Sequence, residues 1–364
     1  MIFENNKKAA LVLADGTVFE GRSFGAEGKT FGEVVFTTGV IGYQETLTDP
    51  AFCGQIITQT FPLIGNYGVN AEDEASAYHA AAGYVVREYC EEPSNFRCEG
   101  TIDDYLKKHG IIGICDIDTR ALTRVLREKG VMNGAIVCGD YDKDAVLAEV
   151  KAFSAGDLLS KVGRTEKAEV RAENAKYNVA VIDYGSTKVL TNELAKHGCN
   201  VTLLPYNVTA EQVLSEKPDG IVLSCGAGDP AECTAQIEVV KELTKSGVPM
   251  YGIGLGHQLL ALANGARTEK LNHGHRGASQ PTKELSSGKV FIAGQNHGYT
   301  VAADSIPAGV GEVSHVFCGD GSCQGISYTS IPAFGTQFQP EVSGNPHDTG
   351  YLFDRFIKMM EDRK

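Results

Sequence analysis

The run Tyr251-Gly252-Ile253-Gly254-Leu255-Gly256-His257-Gln258 passes straight from a short apolar strand into an apolar helix, with glycines on both sides of the turn. A strand–turn–helix of this kind lifts its central side chain above the sheet, where a Ser or Cys can attack an acyl carbon. The central residue here is Gly254, which carries no side chain. Such a turn holds its central residue at positive φ, a conformation glycine adopts at little steric cost. Other groups with chemistry lie nearby in sequence. Cys225 sits in Ser224-Cys225-Gly226-Ala227-Gly228, His257 follows the elbow, and His297 lies in Gln295-Asn296-His297-Gly298. A thiol beside an imidazole would suffice for nucleophilic catalysis, but no spacing ties these three together. The plainer reading is a semi-buried thiol and two hydrogen-bonded histidines. His273-x-His275 and Cys318-x4-Cys323 offer ligand types without a matching second pair at zinc spacing, so no metal site is expected. Gly226-x-Gly228-x-x-Ala231 follows a strand, but the next strand, Pro249–Ile253, ends without an acid for a ribose. No Gly-x4-Gly-Lys-Ser/Thr loop is present to cradle ATP phosphates.

The elements expected around these residues alternate cleanly in the second half. Strands are predicted at Asn178–Ile182, Asn200–Leu204, Gly220–Ser224 and Pro249–Ile253. Helices are predicted at Thr187–Lys196, Thr209–Glu216, Ala231–Ser246 and Leu255–Ala263. Short apolar strands between helices imply βαβ units and a parallel sheet covered on both faces. Ligands of such sheets bind at the carboxyl ends of the strands, which directs attention to Asp183–Thr187, Cys225–Pro230 and Gly254–Gln258. The first half is mixed. Ala9–Leu13 and Thr17–Glu20 flank a hairpin signal at Ala14-Asp15-Gly16. Val34–Thr37 and Gln55–Thr60 read as strands. Ala121–Glu128 reads as a helix, begun by Asp118-Thr119 and closed at Gly130. Ser160 to Lys176 is polar, charged and nearly free of large apolar residues, as expected of a linker.

A chain of 364 residues suggests two domains. Hydrophobic residues make up 42% and charged residues 22%, so large-scale disorder is not expected. The net charge of −13 argues against binding nucleic acid through a broad basic face. No apolar run is long enough to span a bilayer, and residues 1–8 lack the apolar core of an export signal. Ten cysteines are scattered singly, with no Cys-x-x-Cys, which fits reduced thiols in a cytoplasmic protein.

The chain resembles, over essentially its whole length, the small subunits of carbamoyl-phosphate synthases, whose second half is a class I, triad-type glutamine amidotransferase. In the first half the resemblance rests on Gly42-Tyr43-Gln44-Glu45-Thr46-Leu47-Thr48-Asp49-Pro50, Ile64-Gly65-Asn66-Tyr67-Gly68, Pro93-Ser94-Asn95-Phe96-Arg97 and Asp118-Thr119-Arg120-Ala121-Leu122-Thr123. In the second it rests on Gly226-Ala227-Gly228-Asp229-Pro230, the elbow, Gly274-His275-Arg276-Gly277, Gln295-Asn296-His297-Gly298-Tyr299 and Gln339-Pro340-Glu341. It implies an α/β fold with a mixed N-terminal domain over residues 1–155, a linker over 156–177 and an amidotransferase domain over 178–364, with a mostly parallel sheet under helices.

Active members of that family hydrolyse glutamine with a Cys–His–Glu triad and pass ammonia to a large subunit. By the resemblance, Gly254 stands at the nucleophile position and Gln339 at the base position, and only Glu341 is kept. Gly39 stands where the family has a Ser that contacts glutamine. The residues around the substrate are largely present: backbone N–H groups of Leu255 and Gly226 for the oxyanion, Gly228 beside them, and Gln258, Asn296, Gly298 and Tyr299 for the α-amino and carboxylate ends. The expected partner is the large subunit, which would hold ATP, magnesium and the bicarbonate chemistry. No cofactor is expected in this chain. The expected function is a small subunit whose glutaminase is lost, serving a holoenzyme that takes ammonia. Two alternatives stay open: an amino-acid-sensing module detached from carbamoyl-phosphate synthesis, and a glutaminase with an unrecognised nucleophile.

Overall fold

The computed structural model describes residues 7–342 and 348–363. Most of the polar N-terminal stretch read for an export signal, residues 1–6, lies outside the described residues. The chain divides into two units, Met1–Leu158 and Leu159–Lys364.

The first unit is built on a closed barrel of seven strands. Round the ring these are Lys8–Leu13, Val18–Gly25, Ile112–Cys115, Gly83–Val85, Gln55–Gln59, Lys29–Thr37 and Met132–Cys138. Their period-2 alternation sends Leu11, Leu13, Val34, Ile56, Val85, Ile114 and Ile136 into one cluster filling the ring. Val12, Ala135 and Val137 face the other way and pack under Val146 and Val150 of the helix Lys143–Ala152. The expected hairpin is present: Gly16 has φ 86°, and Asp15 Oδ1 accepts from the Thr17 amide at 2.9 Å. The helix Thr119–Lys129 starts at Asp118, whose carboxylate accepts from the Ala121 amide at 2.9 Å, and stops at Gly130 with φ 91°. Closure of the ring had no local signal.

The second unit is a ten-stranded sheet. Cys199–Leu204, Tyr177–Ile182, Gly220–Leu223 and Met250–Ile253 lie side by side in parallel, as the βαβ pattern requires, and Ala333–Thr336, which the sequence reading does not mark as a strand, adds to them in parallel. Beyond Ala333–Thr336 the sheet continues in antiparallel through Cys323–Tyr328, Gly311–Phe317, Thr268–Glu284 and Val290–Val301. One face packs against helices Ala210–Ser215, Thr234–Thr244 and Leu255–Ala263, the other against Lys188–Lys196 and Tyr351–Glu361. The expected long helix at 231–246 is split. Asp229 caps a short 3-10 turn over Pro230–Glu232, and Cys233, at φ −80° and ψ 48°, separates it from Thr234–Thr244. Part of the polar stretch read as linker is ordered within this unit. Leu159–Val162 forms a helical turn, and Ala168–Val170 adds an antiparallel strand to Cys199–Leu204. An edge strand with one face in water needs few apolar residues, which is why its composition resembled a loop.

Candidate functional site

The elbow forms where Met250–Ile253 meets Leu255–Ala263. Gly254 has φ 57° and ψ −113°, in the region that disfavours any side chain, as the turn demanded. Its amide donates to Thr336 O at 2.9 Å and its carbonyl accepts from the Gln258 amide at 3.2 Å, so both neighbours of the turn are tied down. Gly256 lets the helix touch the sheet: its amide donates to Ser224 O at 3.0 Å, and a Cβ there would stand 2.1 Å from Leu223 O. Leu255 opens the helix, so its N–H is one of the first-turn donors that have no partner inside the helix.

The loop after the neighbouring strand Gly220–Leu223 supplies the other wall. Ser224 Oγ accepts from the Tyr184 amide and donates to Cys225 O, both at 2.9 Å. Gly226 is crowded by Tyr184 O and Leu255 Cδ2, each 2.7 Å from where a Cβ would be. Gly228 sits at φ 100°. Cys225 is buried, and its Sγ lies 2.9 Å from the position a Cβ on Gly254 would take. The sequence reading weighs an approach of this thiol to the elbow against an ordinary semi-buried thiol at a strand end. Its only available signal was that both residues follow adjacent parallel strands.

Gln258 is buried, and its Nε2 donates to Tyr299 O at 2.8 Å and to Gln337 Oε1 at 2.9 Å. With both amide hydrogens spent, its carbonyl oxygen is the end available to a ligand's ammonium. Asn296, Gly298 and Tyr299 lie together on Val290–Val301, with Asn296 opposite Arg276 and the Lys270 ammonium 5.8 Å from the Tyr299 ring. The same strand supports the segment that follows Ala333–Thr336. Gln339 bridges Gly294, its amide donating to Gly294 O at 3.0 Å, and Val342 O would sit 1.8 Å from a Cβ at 294. Gln339 and Glu341 are both buried. Burial holds the Tyr251 hydroxyl pKa far up, and the nearby Glu341 charge pushes it further. Gly39 lies in the first unit, after the strand Lys29–Thr37.

The histidines are committed elsewhere. Both ring nitrogens of His257 are buried without a hydrogen-bond partner among the described residues, and burial drives its pKa down to about 3. Its ring is wedged against Gly335, 2.5 Å from where a Cβ would be. His297 contacts Tyr299 O at 2.8 Å, Gln295 Oε1 at 3.0 Å and His275 Nδ1 at 3.2 Å, and His275 Nε2 reaches Asp320 at 2.9 Å. Burial, followed by the neighbouring His275, holds the His297 pKa well below the usual imidazole range. Cys318 is exposed and Cys323 buried. Among the described residues, the one set of three or more His, Cys, Asp or Glu with ligand atoms in mutual reach is Glu74, His79 and His109, which the sequence reading did not single out.

Among the described residues, no helix is long and apolar enough to cross a membrane. Two family models match the chain. Carbamoyl-phosphate synthase small chain, CPSase domain, matches residues 11–136, and glutamine amidotransferase class-I matches residues 180–359. A carbamoyl phosphate synthase small chain of Bacillus cereus is 45% identical over 357 residues, spanning 98% of this chain and 97% of that one. The pyrimidine-specific small chain of Bacillus subtilis is 45% identical over 97% of this chain and 96% of its own length. A small chain of Fusobacterium nucleatum is 46% identical over 97% of this chain and 98% of its own. With the elbow, the glycine loop and the Gln295–Tyr299 strand all set at one end of the second unit's sheet, and relatives of this identity aligned nearly end to end, the chain belongs to the carbamoyl phosphate synthase small chain family.

Proposed function

We propose that this chain is a small subunit without glutaminase activity, and that the holoenzyme it forms with a large subunit takes ammonia as its nitrogen donor. The observation that carries the reading is the elbow: its central residue, Gly254, offers no nucleophile. Triad-type hydrolysis needs a thiolate to attack the side-chain amide and an imidazole to shuttle its proton. Gln339, at the base position, has a neutral carboxamide that cannot cycle a proton near pH 7. Loss of a triad nucleophile alone costs about 10⁶ in turnover in a serine protease. The oxyanion donors, Leu255 and Gly226 N–H, can stabilise charge but cannot start the attack. Gly228, Gln258, Asn296, Gly298 and Tyr299 would still hold the amino-acid end of glutamine, while Gly39 forgoes the contact a Ser would make. ATP, magnesium and bicarbonate chemistry belong to the large subunit, and the chain works in the cytoplasm as its structural and regulatory partner. Arginine and pyrimidine synthesis are both possible destinations for the product, and the reading does not depend on which is fed.

A second reading has one observation behind it. Cys225 Sγ lies beside the empty elbow and could replace the missing nucleophile. It lacks a base: His257 is wedged in the core, and His297 is bonded to Gln295, His275 and Tyr299. The deciding experiment co-expresses the chain with the large subunit of the same genome and assays carbamoyl phosphate with ammonium or glutamine. Synthesis with ammonium alone is expected. Glutamine-dependent synthesis that is lost in Cys225→Ser would instead establish the second reading. A chain that binds glutamine but no large subunit would be an amino-acid sensor.

A further inference from the structure

The first unit brings together three ligating side chains that the proposed function does not use. Glu74 and His79 lie five residues apart, and His109 follows thirty residues later. One Glu74 oxygen and one nitrogen from each imidazole all lie within 4.8 Å of one another. The loop carrying the first two is pinned: Ala75 N donates to Thr48 Oγ1 at 2.9 Å, Ser76 Oγ to Thr48 O at 2.7 Å, and Tyr78 N to Ser76 Oγ at 3.0 Å. His109 caps the helix Ile102–Lys108, its amide donating to Tyr105 O at 3.1 Å. From that helix the Tyr105 hydroxyl donates to Glu74 Oε1 at 3.1 Å, holding the oxygen that also faces His79 Nε2. His109 Nε2 is buried without a hydrogen-bond partner among the described residues, which a polar atom rarely tolerates.

We propose that Glu74, His79 and His109 form a site for a divalent transition ion of the zinc class, clipping the loop 70–80 to the end of the helix Ile102–Lys108. Two imidazoles and a carboxylate, with a fourth position for water, are a donor set that suits zinc, cobalt or nickel and not magnesium or calcium. Metal–ligand bonds of about 2.0–2.1 Å in a tetrahedron place neighbouring ligand atoms about 3.3 Å apart. Glu74 Oε1 and His79 Nε2 are already 3.3 Å apart. The two rings lie face to face, with centroids 3.5 Å apart and planes within 8°. Ligation fans the rings apart about χ2, a torsion with broad minima, and leaves the pinned loop in place.

The test titrates the full chain, freed of metal by a chelator, with Zn²⁺ by calorimetry and with Co²⁺ by visible absorption, in a Cys318→Ser background that removes the exposed thiol. One equivalent per chain is expected, with cobalt bands of nitrogen and oxygen ligation and a rise in melting temperature on adding Zn²⁺. His79→Gln and His109→Gln should each abolish the equivalent and the thermal rise. In the wild type, Zn²⁺ should shield both imidazoles from carbethoxylation read by mass spectrometry, a readout that needs no variant to fold. Binding that survives both substitutions, a cobalt spectrum dominated by thiolate charge transfer, absence of binding, or equal labelling with and without Zn²⁺ would each overturn the site.

Discussion

Replacing Gly254 by cysteine is the simplest repair of the nucleophile that the proposed function takes as lost, and the expected outcome is failure through pairing of the new thiol. A Cβ at 254 stands 3.6 Å from the Cβ of Cys225 and 2.9 Å from its Sγ. Disulfides hold their Cβ atoms about 3.5–4.5 Å apart, so Gly254→Cys sets two thiols at bonding distance. In the reduced state the substitution should destabilise the second unit. A side chain at φ 57° costs about 1–3 kcal/mol, and the approach to Cys225 must be relieved by moving that residue. For a unit of this size that is a fall of about 2–12 °C in melting temperature. Oxidation should offset the loss, because closing a loop of about 30 residues is worth about 3.6 kcal/mol in the chain-entropy model. The wild type has ten free cysteines, so the oxidised variant should titrate with nine thiols after denaturation instead of eleven. Ammonia release from glutamine should stay at background for Gly254→Cys and for Gln339→His alone, since triad members act as a unit. The pair together should gain hydrolysis only under reducing conditions, or fully once Cys225→Ala removes the sulfur. Adding Gly39→Ser should then chiefly improve glutamine binding. Eleven titratable thiols after oxidation, together with full activity of the Gly254→Cys/Gln339→His pair in the presence of Cys225, would refute the steric reasoning.

Gly256→Ala should cost about 1–3 kcal/mol or more, read from urea unfolding, because its Cβ would meet Leu223 O at 2.1 Å and the helix cannot withdraw without breaking the elbow. His257, held near 3 by burial against about 6.5 in an unfolded chain, makes stability acid-sensitive. The unfolded state takes the proton first, so the stabilisation is complete above about pH 6.5 and falls toward pH 3 by up to about 1.4 kcal/mol per unit. Denaturant midpoints between pH 7 and 4.5 should show that slope, and His257→Leu should flatten it. The chain should co-purify with its large subunit at a 1:1 ratio or a multiple of it, and the Gly254→Cys variant should do so equally well. Monomeric elution of the wild type beside the large subunit would count against the proposed function.

Local order determined much of this protein. Alternating strands and helices across residues 178–263 specified four of the five parallel strands, because a βαβ unit has one hand and short connections, whereas Ala333–Thr336 joins them from beyond four antiparallel strands. The glycines around residue 254 specified a turn that the structure holds at φ 57°, since the steric rule acts on a single residue. Asp118 and Gly130 marked both ends of their helix for the same reason: a cap is satisfied within one turn. What depends on groups distant in sequence was not legible. The closed barrel requires seven strands to complete a ring, and no one of them encodes closure. Ala168–Val170 is a strand only because Cys199–Leu204 has an open edge beside it. His257 is buried against Gly335 on another strand, a contact of which its neighbours in sequence say nothing. The distance at which Cys225 meets the space above Gly254, and the meeting of His79 with His109, come only through packing, since hydrogen bonds, sulfur contacts and ligand sets act over a few ångströms of space at any separation along the chain.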